Sequence, residues 1–245
     1  MQKEQRRKVS PQLLEQLRRV GTGSACSALD HLGLRPTFMY GIRPIVGPRP
    51  GARVAGQAVT ARFLPWRKDI WEAMPEEERS VPPYRHAIEE LEPGDVLVLD
   101  QMGRLEGASI GDILAARIKA RGGVGVVIDG AVRDQWGMDE VGLPVFARGL
   151  DPVPCPYYVI NTDANVPIQC GGVLVMPGDI ILADSDGVVV IPPPLAPEVA
   201  KAGIEREELE AFIRVKVEKG ASTLGFYPPS DETRREYEAY RASKR

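Results

Sequence analysis

The sequence predicts an α/β fold, and three observations support this prediction. Residues 107–134 combine an amphipathic helical pattern with a continuous β-branched run, which is typical of a helix followed by a strand buried on both faces. The phrases PGDVLVLD, beginning at Pro93, and PGDIILAD, beginning at Pro177, each indicate a turn that leads into a buried strand. After Pro156 the apolar segments are short and closely spaced, with Gly, Pro, Asn and Asp between them, so this part is predicted to be mostly β.

The length and composition indicate an ordinary globular chain. Its 245 residues are enough to bury a sizeable core, and we expect a single domain over residues 1–245. Hydrophobic residues make up 43% of the sequence and charged residues 27%. The 31 Lys and Arg against 34 Asp and Glu give a formal net charge of -3. Because this balance provides no strong attraction for nucleic acid, we expect no nucleic-acid partner.

Several features predict a cytoplasmic protein without a membrane partner. The first residues, MQKEQRRK, lack an apolar segment behind their charges, unlike a secretory signal, and no apolar run approaches the roughly 18 residues that cross a bilayer. The terminal clusters KEQRRK and RASKR are expected to be solvated tails. Cys26, Cys155 and Cys170 are widely spaced and odd in number, which fits reduced thiols. His31 and His86 are the only histidines and belong to no ligand-spaced cluster, which argues against zinc.

Capping and turn residues delimit the elements of the first half. Ser10-Pro11 indicates the start of a helix, Thr22 or Ser24 can cap a second one, and Gly33 can end it. The two Pro-Gly-Asp phrases begin 84 residues apart, too far for a solenoid, and indicate equivalent turn-strand units within one fold. The further predictions are the second helix at 25–32, an extended connection at 35–56, a strand at 58–64, a charged surface excursion at 66–83, a helix at 84–91 and a strand at 95–100.

The second half begins with the helix and strand of residues 107–134. Four apolar residues lie on one helical face, namely Ile110, Ile113, Leu114 and Ile118. Gly122-Gly123 ends this helix, and a strand is predicted at 124–128 with Asp129-Gly130 as a turn at its end. The remaining predictions are a helix at 135–141, a strand at 144–147, a proline-rich loop at 151–156, short strands at 157–160, 166–169, 173–176, 180–183 and 188–191, and helices at 195–219 and 231–242.

The candidate site consists of charged residues at the two ends of this helix and strand. Asp112 lies at the start of the helix, and Arg133-Asp134 follows the strand. A connection that returns the chain would bring Asp112 near the other two. Arg133 carries a planar fork of donors suited to a carboxylate or a developing enolate oxygen, and Asp134 can bind a hard cation. Because open sheets bind ligands at strand ends, this position favours a functional interpretation over a surface one.

The start of the helix could itself bind a substrate carboxylate, because it offers unpaired N–H groups and the positive end of the helix dipole. If Gly111 is the cap, the amides of Asp112, Ile113 and Leu114 remain free for this purpose. If Ser109 is the cap, Ser109 and Asp112 form a variant capping box, and Asp112 is structural. The rules of helix capping leave both alternatives open.

Several phrases together resemble the RraA-like proteins, a family that includes 4-hydroxy-4-methyl-2-oxoglutarate/4-carboxy-4-hydroxy-2-oxoadipate aldolases. The motif of these aldolases is an Asp, twenty residues, and then Arg-Asp, which Asp112 and Arg133-Asp134 match in spacing. The resemblance covers about residues 21–200, which would form the core of the domain, with a helical extension at about 201–245. The other matching phrases are CSALDHLG, GQAVTA, PGDVLVLD, GVVIDGAVRD, PVFARG and PGDIILADSDGVVVIP.

The resemblance implies a swivelling β/β/α domain that assembles as homotrimers or homohexamers, and the predicted terminal helices add N- and C-terminal helical extensions to it. It also implies a lyase that depends on Mg²⁺ or Mn²⁺ and releases pyruvate from a small 2-oxo acid. Asp134 would be the direct metal ligand, and Asp112 would hold a metal-bound water. Arg133 would bind the substrate and stabilise the enolate, while the backbone from Gly111 through Ile113 to Leu114 would hold the pyruvyl carboxylate.

Other functions remain open beside the aldolase. The same enolate chemistry would permit oxaloacetate decarboxylation, and another 2-oxo-acid lyase such as a dehydratase could use the same scaffold. Other branches of the family are non-catalytic regulators of an RNA-degrading enzyme, which is the principal alternative. The excursion at 66–83 and the end of the chain at 220–245 depart from the shorter members. Arg43, Arg104 and Arg148 are candidates for a second carboxylate pocket.

Overall fold

A computed structural model describes residues 8–48, 51–224 and 226–243 of the chain. All of KEQRRK except Lys8, and the last two residues of RASKR, lie outside these residues, while the first three residues of RASKR end the last helix. The helices of the described part are α1 (Pro11–Leu17), α2 (Thr22–His31), α3 (Lys68–Ala73), α4 (Glu76–Ser80), α5 (Pro83–Glu89), α6 (Asp112–Ala120), α7 (Gln135–Val141), α8 (Ala196–Glu218) and α9 (Asp231–Ser243). The strands are β1 (Arg43–Val46), β2 (Val54–Pro65), β3 (Asp95–Ile110), β4 (Gly125–Val132), β5 (Val145–Leu150), β6 (Val159–Ala164), β7 (Ile168–Cys170), β8 (Val173–Val175), β9 (Ile180–Ala183) and β10 (Val188–Ile191).

One large sheet forms the centre of the fold, which confirms the α/β prediction. Its strand order is β1-β5-β4-β3-β2-β9-β10, and β6 also pairs with β2. Strands β2 to β5 run parallel to one another, whereas β1 and β9 join this group in antiparallel orientation. Strands β7 and β8 form a separate hairpin. Because β3, β4 and β5 are parallel neighbours, their carboxyl ends lie along one edge of the sheet.

Both faces of this sheet are buried, which explains why its strands are continuous apolar runs rather than alternating ones. All eight residues of β4 are buried. On one face, Val126 and Ile128 belong to a cluster that includes Ile118 of α6 and Met138 of α7. On the other face, Val127 packs in a cluster with residues of the β7–β8 hairpin. Helices α1, α2 and α8 cover β9 and β10 in a third cluster.

The two Pro-Gly-Asp phrases do form equivalent units. Gly94 and Gly178 have left-handed φ values of 93° and 90°. The Asp95 carboxylate accepts the Glu92 N–H at 2.9 Å, and the Asp179 carboxylate accepts the Met176 N–H at 2.8 Å. The strands that follow, β3 and β9, flank β2 on its two sides. The repeated phrase therefore marks the two neighbours of one central strand.

Three local predictions were wrong. Asp129-Gly130 is not a turn but lies inside β4, because the buried Asp129 carboxylate binds Arg148, Gln169 and the Gly171 N–H across the fold. Strand β1 interrupts the predicted connection at 35–56. Ile110 belongs to β3 rather than to the following helix, since it pairs with Val132.

The start of α2 also differs from its prediction. Gly21 is the N-cap, and neither Thr22 nor Ser24 serves as one. The Asp184 carboxylate instead accepts both the N–H and the hydroxyl of Thr22, each at 2.8 Å, and the Ser24 hydroxyl donates to Glu207 at 2.7 Å. In the described part of the chain, no helix is long and apolar enough to span a membrane.

Gly56 tests the close packing at the centre of the sheet. A Cβ at this position of β2 would overlap the Gly94 carbonyl oxygen and lie 2.9 Å from Val96 Cγ2. We expect Gly56→Ala to lower the free energy of unfolding by about 2 to 3 kcal/mol in urea titrations, because a packed backbone cannot yield. Gly23→Ala in α2 is the control, since nothing lies within 4 Å of its Cβ, and it should be neutral or stabilising by up to about 1 kcal/mol. Equal stability of the two variants would contradict this packing.

Candidate functional site

The candidate site lies where β3 and β4 end side by side. Ile110 pairs with Val132 as the last residue of each strand, and the Arg133 N–H donates to the Ile110 carbonyl at 3.0 Å. The chain therefore leaves the two strands at adjacent points. Gly111 and Asp112 open α6 on one side, while Arg133 and Asp134 lead into α7 on the other. The structure thus brings together the charged residues that the sequence separates by twenty positions.

The start of α6 resolves the two capping alternatives. Gly111 is the N-cap, in extended conformation and without a side-chain capping bond, and its carbonyl accepts the Ala115 N–H at 3.0 Å. Ser109 is not the cap: its hydroxyl is buried and has no partner among the described residues. The capping box is therefore absent, and Asp112 is not used to close one.

One of the three amides predicted to be free is occupied. The Asp112 carboxylate accepts the N–H of Ile113, its own neighbour, at 2.7 Å. For the amides of Asp112 and Leu114, the described residues provide no acceptor. Two N–H groups and the positive end of the α6 dipole thus remain available to an anion.

Two glycines allow the carboxylates to approach the backbone closely. A Cβ on Gly111 would lie 2.5 Å from Asp134 Oδ2, and a Cβ on Gly137 would lie 2.8 Å from Asp112 Oδ2. Each carboxylate therefore occupies the space that the Cβ of any other residue at position 111 or 137 would fill. These contacts also hold the N-termini of α6 and α7 against each other, which the sequence did not reveal. Glycine inside an otherwise regular helix was the signal that could have identified Gly137.

Asp134 is held in an uncommon backbone conformation. Its φ of 58° and ψ of 41° lie in the left-handed region, which Asp and Asn tolerate better than most other residues. Asp134 is the N-cap of α7, and its carbonyl accepts the Met138 N–H at 3.0 Å, yet its carboxylate makes no capping bond. The carboxylate is therefore directed to the site rather than used in the helix. Left-handed residues of this kind concentrate at functional sites.

Arg133 and Asp134 form an ion pair with each other. Arg133 Nε lies 3.3 Å from Asp134 Oδ2, and their side chains are 41% and 45% exposed. Ion pairs this exposed contribute at most about 1 kcal/mol. The guanidinium can therefore exchange Asp134 for a substrate carboxylate at small cost.

A buried polar group beside Arg133 was missed by the sequence analysis. The Tyr84 hydroxyl donates to the Ser109 carbonyl at 3.3 Å. Burial raises the pKa of Tyr84 to about 12, which the positive charges of Arg85 and Arg133 oppose only in part. Burial likewise raises the pKa of Cys155 to about 11, against the opposing charge of Arg133. Both groups are therefore protonated and neutral near pH 7. Neither lies in a motif that would have indicated it.

The three other arginines proposed for a carboxylate pocket have contacts of their own, and of these only Arg148 pairs with a buried carboxylate. Arg148 forms an ion pair with the buried Asp129. Arg43 donates to the Asp186 carbonyl at 2.9 Å, and Arg104 lies 3.6 Å from Glu106. Among the described residues, none of these contacts joins Arg43, Arg104 or Arg148 to Arg133.

The carboxylate donors at the site fit a divalent cation that prefers oxygen ligands, such as Mg²⁺ or Mn²⁺. In the residues that the structure describes, no group of three or more His, Cys, Asp or Glu side chains could hold a metal. Asp134 and Asp112 instead offer carboxylate oxygens, and each of these carboxylates lies against a glycine. Mg²⁺ commonly binds through one or two carboxylates and keeps several waters, and Mn²⁺ accepts the same oxygen ligands. The two residues therefore fit such a cation.

Comparison with known families gives one match that covers most of the chain. The family model described as RraA-like, aldolase/RraA, matches residues 22–190. One similar curated protein is from Halalkalibacterium halodurans and is named as a candidate 4-hydroxy-4-methyl-2-oxoglutarate aldolase. It is 42% identical to this chain over 106 residues, which cover 43% of this chain and 50% of that protein. Protein DlpA of Legionella pneumophila is 28% identical over 215 residues, covering 86% of this chain and 32% of its own. The chain spans about half the length of the first of these relatives and a third of the second.

Solved structures show the same fold. RraAS2 of Streptomyces coelicolor, described as an unusual member of the RNase ES inhibitor RraA protein family, matches with a TM-score of 0.75 and 32% identity, covering 85% of this chain and 98% of its own. An uncharacterized protein from Pseudomonas syringae matches with a TM-score of 0.74 and 27% identity, covering 88% and 96%. These neighbours confirm the expected swivelling β/β/α class with helical extensions at both ends.

Gly111 provides a test of the site that does not depend on turnover. Its φ of -130° is accessible to alanine, but the new Cβ would displace the Asp134 carboxylate. We expect Gly111→Ala to weaken Mn²⁺ binding, followed by calorimetry, by at least about 10-fold, or about 1.4 kcal/mol. Gly47→Ala is the control, because nothing lies within 4 Å of its Cβ. Unchanged Mn²⁺ affinity in Gly111→Ala would show that the metal does not bind here.

Proposed function

The chain belongs to the RraA-like family, and on this premise we propose that it is a divalent-metal-dependent lyase that cleaves a 4-hydroxy-2-oxo acid and releases pyruvate. The observation that carries the proposal is the convergence of Asp112, Arg133 and Asp134 at the adjacent ends of β3 and β4. The name of the Halalkalibacterium halodurans relative, a candidate 4-hydroxy-4-methyl-2-oxoglutarate aldolase, supports the same reaction class.

The proposed reaction breaks the C3–C4 bond of the substrate. The electron pair of this bond stays on C3 as the enolate of pyruvate, the 4-hydroxyl passes its proton to the water molecule that Asp112 would hold, and C4 becomes a carbonyl carbon. Protonation of C3 then gives pyruvate. A bound Mg²⁺ or Mn²⁺ would supply Lewis acidity toward the 2-oxo group. Loss of CO₂ from oxaloacetate leaves an enolate of the same kind, so oxaloacetate decarboxylation is proposed as a second activity.

Each residue of the site has a role that follows from its chemistry. Asp134 would ligate the cation directly, and Asp112 would act through a water molecule. The free amides of Asp112 and Leu114 would hold the substrate carboxylate at the positive end of α6. Arg133 would leave its exposed pair with Asp134 and donate to the carboxylate or to the enolate oxygen, where charge develops. Once Arg133 has turned to the bound substrate, these donors need no further reorganisation during the reaction.

A second candidate function is a non-catalytic regulator of an RNA-degrading enzyme. The likeness to RraAS2, a member of an RNase inhibitor family, favours it. The contacts of Gly111 with Asp134 and of Gly137 with Asp112 favour the lyase. A protein-binding surface does not require two carboxylates packed so closely on the backbone that only glycine fits beside them. A pyruvate assay separates the two candidates.

We also propose that the chain assembles as a homotrimer or homohexamer in the cytoplasm. Exposed apolar side chains, such as Leu105 in β3, Leu150 at the end of β5 and Val153 in the loop that follows, support an association between copies. Light scattering should give a mass three or six times the 26.8 kDa of one chain. A monomeric mass would contradict this assembly.

Pyruvate release is the experiment that tests the function. We expect turnover of 4-hydroxy-4-methyl-2-oxoglutarate, of a related 4-hydroxy-2-oxo acid or of oxaloacetate in the presence of Mg²⁺, and its loss on addition of a chelator, because the enolate then lacks its Lewis acid. Pyruvate can be followed by coupling to lactate dehydrogenase. Absence of metal-dependent turnover with all of these substrates would contradict the lyase proposal.

Asp134→Asn tests the proposed metal ligand in this assay. Asn tolerates the left-handed conformation, so the fold is preserved while the anionic metal ligand is removed. We expect kcat/KM to fall at least about 100-fold, which corresponds to roughly 2.7 kcal/mol of transition-state stabilisation. Asp139→Asn, an exposed residue of the same helix, should behave as wild type. Equal activity of both variants would show that the site is misplaced.

Arg133→Lys tests the guanidinium separately. Lysine keeps the positive charge but lacks the planar fork that binds a carboxylate through two N–H groups. We expect kcat/KM to fall about 100-fold or more, with much smaller changes in Mn²⁺ affinity, since Arg133 is not a metal ligand. Wild-type kcat/KM in this variant would exclude a role for Arg133 in substrate binding.

A further inference from the structure

An arginine that the sequence analysis did not single out lies at the start of α5. Arg85 is the third residue of this helix and is exposed. Among the residues that the structure describes, it forms no ion pair, and Glu89, four positions further along the same helix, pairs with Arg117 instead. The guanidinium of Arg85 is therefore available to a ligand.

Two contacts place the start of α5 beside the start of α6. The Tyr84 hydroxyl donates to the Ser109 carbonyl at 3.3 Å, just before α6 begins. At the end of α5, the Glu89 carboxylate accepts from Arg117 Nε at 3.0 Å, further along α6. Both helices advance in the same direction through these contacts. Arg85 therefore lies at the end of α5 that adjoins the free amides of α6.

The Tyr84 hydroxyl also links Arg85 to Arg133. Burial raises the pKa of Tyr84 to about 12, and the positive charges of Arg85 and Arg133 both oppose this rise, so both guanidinium groups lie near the same hydroxyl. The Tyr84 ring packs on Phe63 with centroids 5.4 Å apart, and the Tyr84 N–H donates to Asn161 at 2.7 Å. These buried contacts fix the backbone from which Arg85 extends. A ligand bound to Arg133 thus has a second guanidinium within reach.

With Arg85 included, the charges of the site match a ligand that carries two carboxylates. Arg85 and Arg133 balance Asp112 and Asp134, and a divalent cation then leaves two positive charges. The α6 amides and the cation serve the carboxylate of the 2-oxo acid, so Arg85 is left for a second one. Its planar fork can bind a carboxylate through two N–H groups. Complementary charge of this kind confers specificity between similar ligands.

We propose that Arg85 is a specificity-determining residue of the site and that its guanidinium binds a second carboxylate, carried by C4 of the substrate. This inference rests on the proposed lyase function and adds a residue to its binding site. The reaction is unchanged: the C3–C4 bond breaks, C1 to C3 leave as pyruvate, and C4 leaves as the carbonyl carbon of a second 2-oxo acid.

A matched pair of substrates tests this role of Arg85. In 4-hydroxy-4-methyl-2-oxopentanoate, a methyl group replaces the second carboxylate of 4-hydroxy-4-methyl-2-oxoglutarate, and its cleavage gives pyruvate and acetone. With Mg²⁺ present, we expect wild-type kcat/KM to be at least about 10-fold higher for the dicarboxylate. Arg85→Gln should lower this value by at least about 10-fold and leave that for the monocarboxylate within about 2-fold, because only the second carboxylate loses its partner.

Two further variants control for the loss of charge. Arg85→Lys keeps the charge without the planar fork, and its kcat/KM for the dicarboxylate should stay within about 5-fold of the wild type. Arg104→Gln removes the same charge from another arginine, which lies 3.6 Å from Glu106, and should change neither value. Because Arg85 is exposed, its variants should unfold at the same urea concentration as the wild type.

Binding of unreactive analogues gives a second readout that does not require turnover. 2-Oxoglutarate and 2-oxopentanoate both lack the 4-hydroxyl, and they differ only in the second carboxylate. In calorimetric titrations with Mg²⁺ present, Arg85→Gln should weaken the binding of 2-oxoglutarate by at least about 10-fold. The same variant should bind 2-oxopentanoate as the wild type does.

The outcomes separate this inference from the lyase proposal. If Arg85→Gln loses no activity, or loses it equally for both substrates, the inference is overturned and the lyase remains intact. A selective loss in Arg104→Gln instead would likewise overturn it. Absence of pyruvate from every substrate, together with Arg85-dependent binding of 2-oxoglutarate, would overturn the lyase and support the second carboxylate site. Absence of both turnover and Arg85-dependent binding would overturn both.

Discussion

The hydrogen bond from the Arg133 N–H to the Ile110 carbonyl, 3.0 Å long, fixes the geometry on which the site depends. It continues the parallel pairing of β3 with β4 beyond the last strand residues. Parallel neighbours require a crossover connection, and here that connection is α6, whose first turn therefore starts beside the end of β4. Asp112 and Asp134 come together because the sheet is parallel, not because of any attraction between two carboxylates.

Close backbone packing then determines which side chains fit where β3 and β4 end. Gly111 and Gly137 leave room for the carboxylates of Asp134 and Asp112, and Asp134 takes up the left-handed conformation at the turn into α7. Such a conformation costs about 1 to 3 kcal/mol and persists only where surrounding structure imposes it. Strand β4, buried along its whole length, provides that support. The rigid sheet thus stabilises a strained turn whose side chain remains free to bind.

Local signals predicted the elements well where Gly and Pro delimit them. The bounds of α7, β9 and β10 agree with the sequence analysis to the residue. The failures involve long-range contacts: Asp129 lies in a strand because Arg148 and Gln169 bind it, and Thr22 binds Asp184 instead of capping its own helix. For the site, spacing identified the three charged residues and predicted that they lie close together, but neither spacing nor periodicity could show the glycine contacts through which α6 and α7 meet.

A crystal structure grown with Mn²⁺ and oxalate would show directly whether Asp134 holds the metal, because oxalate has the shape and charge of the pyruvate enolate. We expect an anomalous Mn²⁺ peak within about 2.2 Å of an Asp134 carboxylate oxygen, with oxalate on the metal. We also expect that Arg133 has turned from Asp134 to the oxalate. A Mn²⁺ ion bound elsewhere, or an Arg133–Asp134 pair that persists beside bound oxalate, would contradict the central claim.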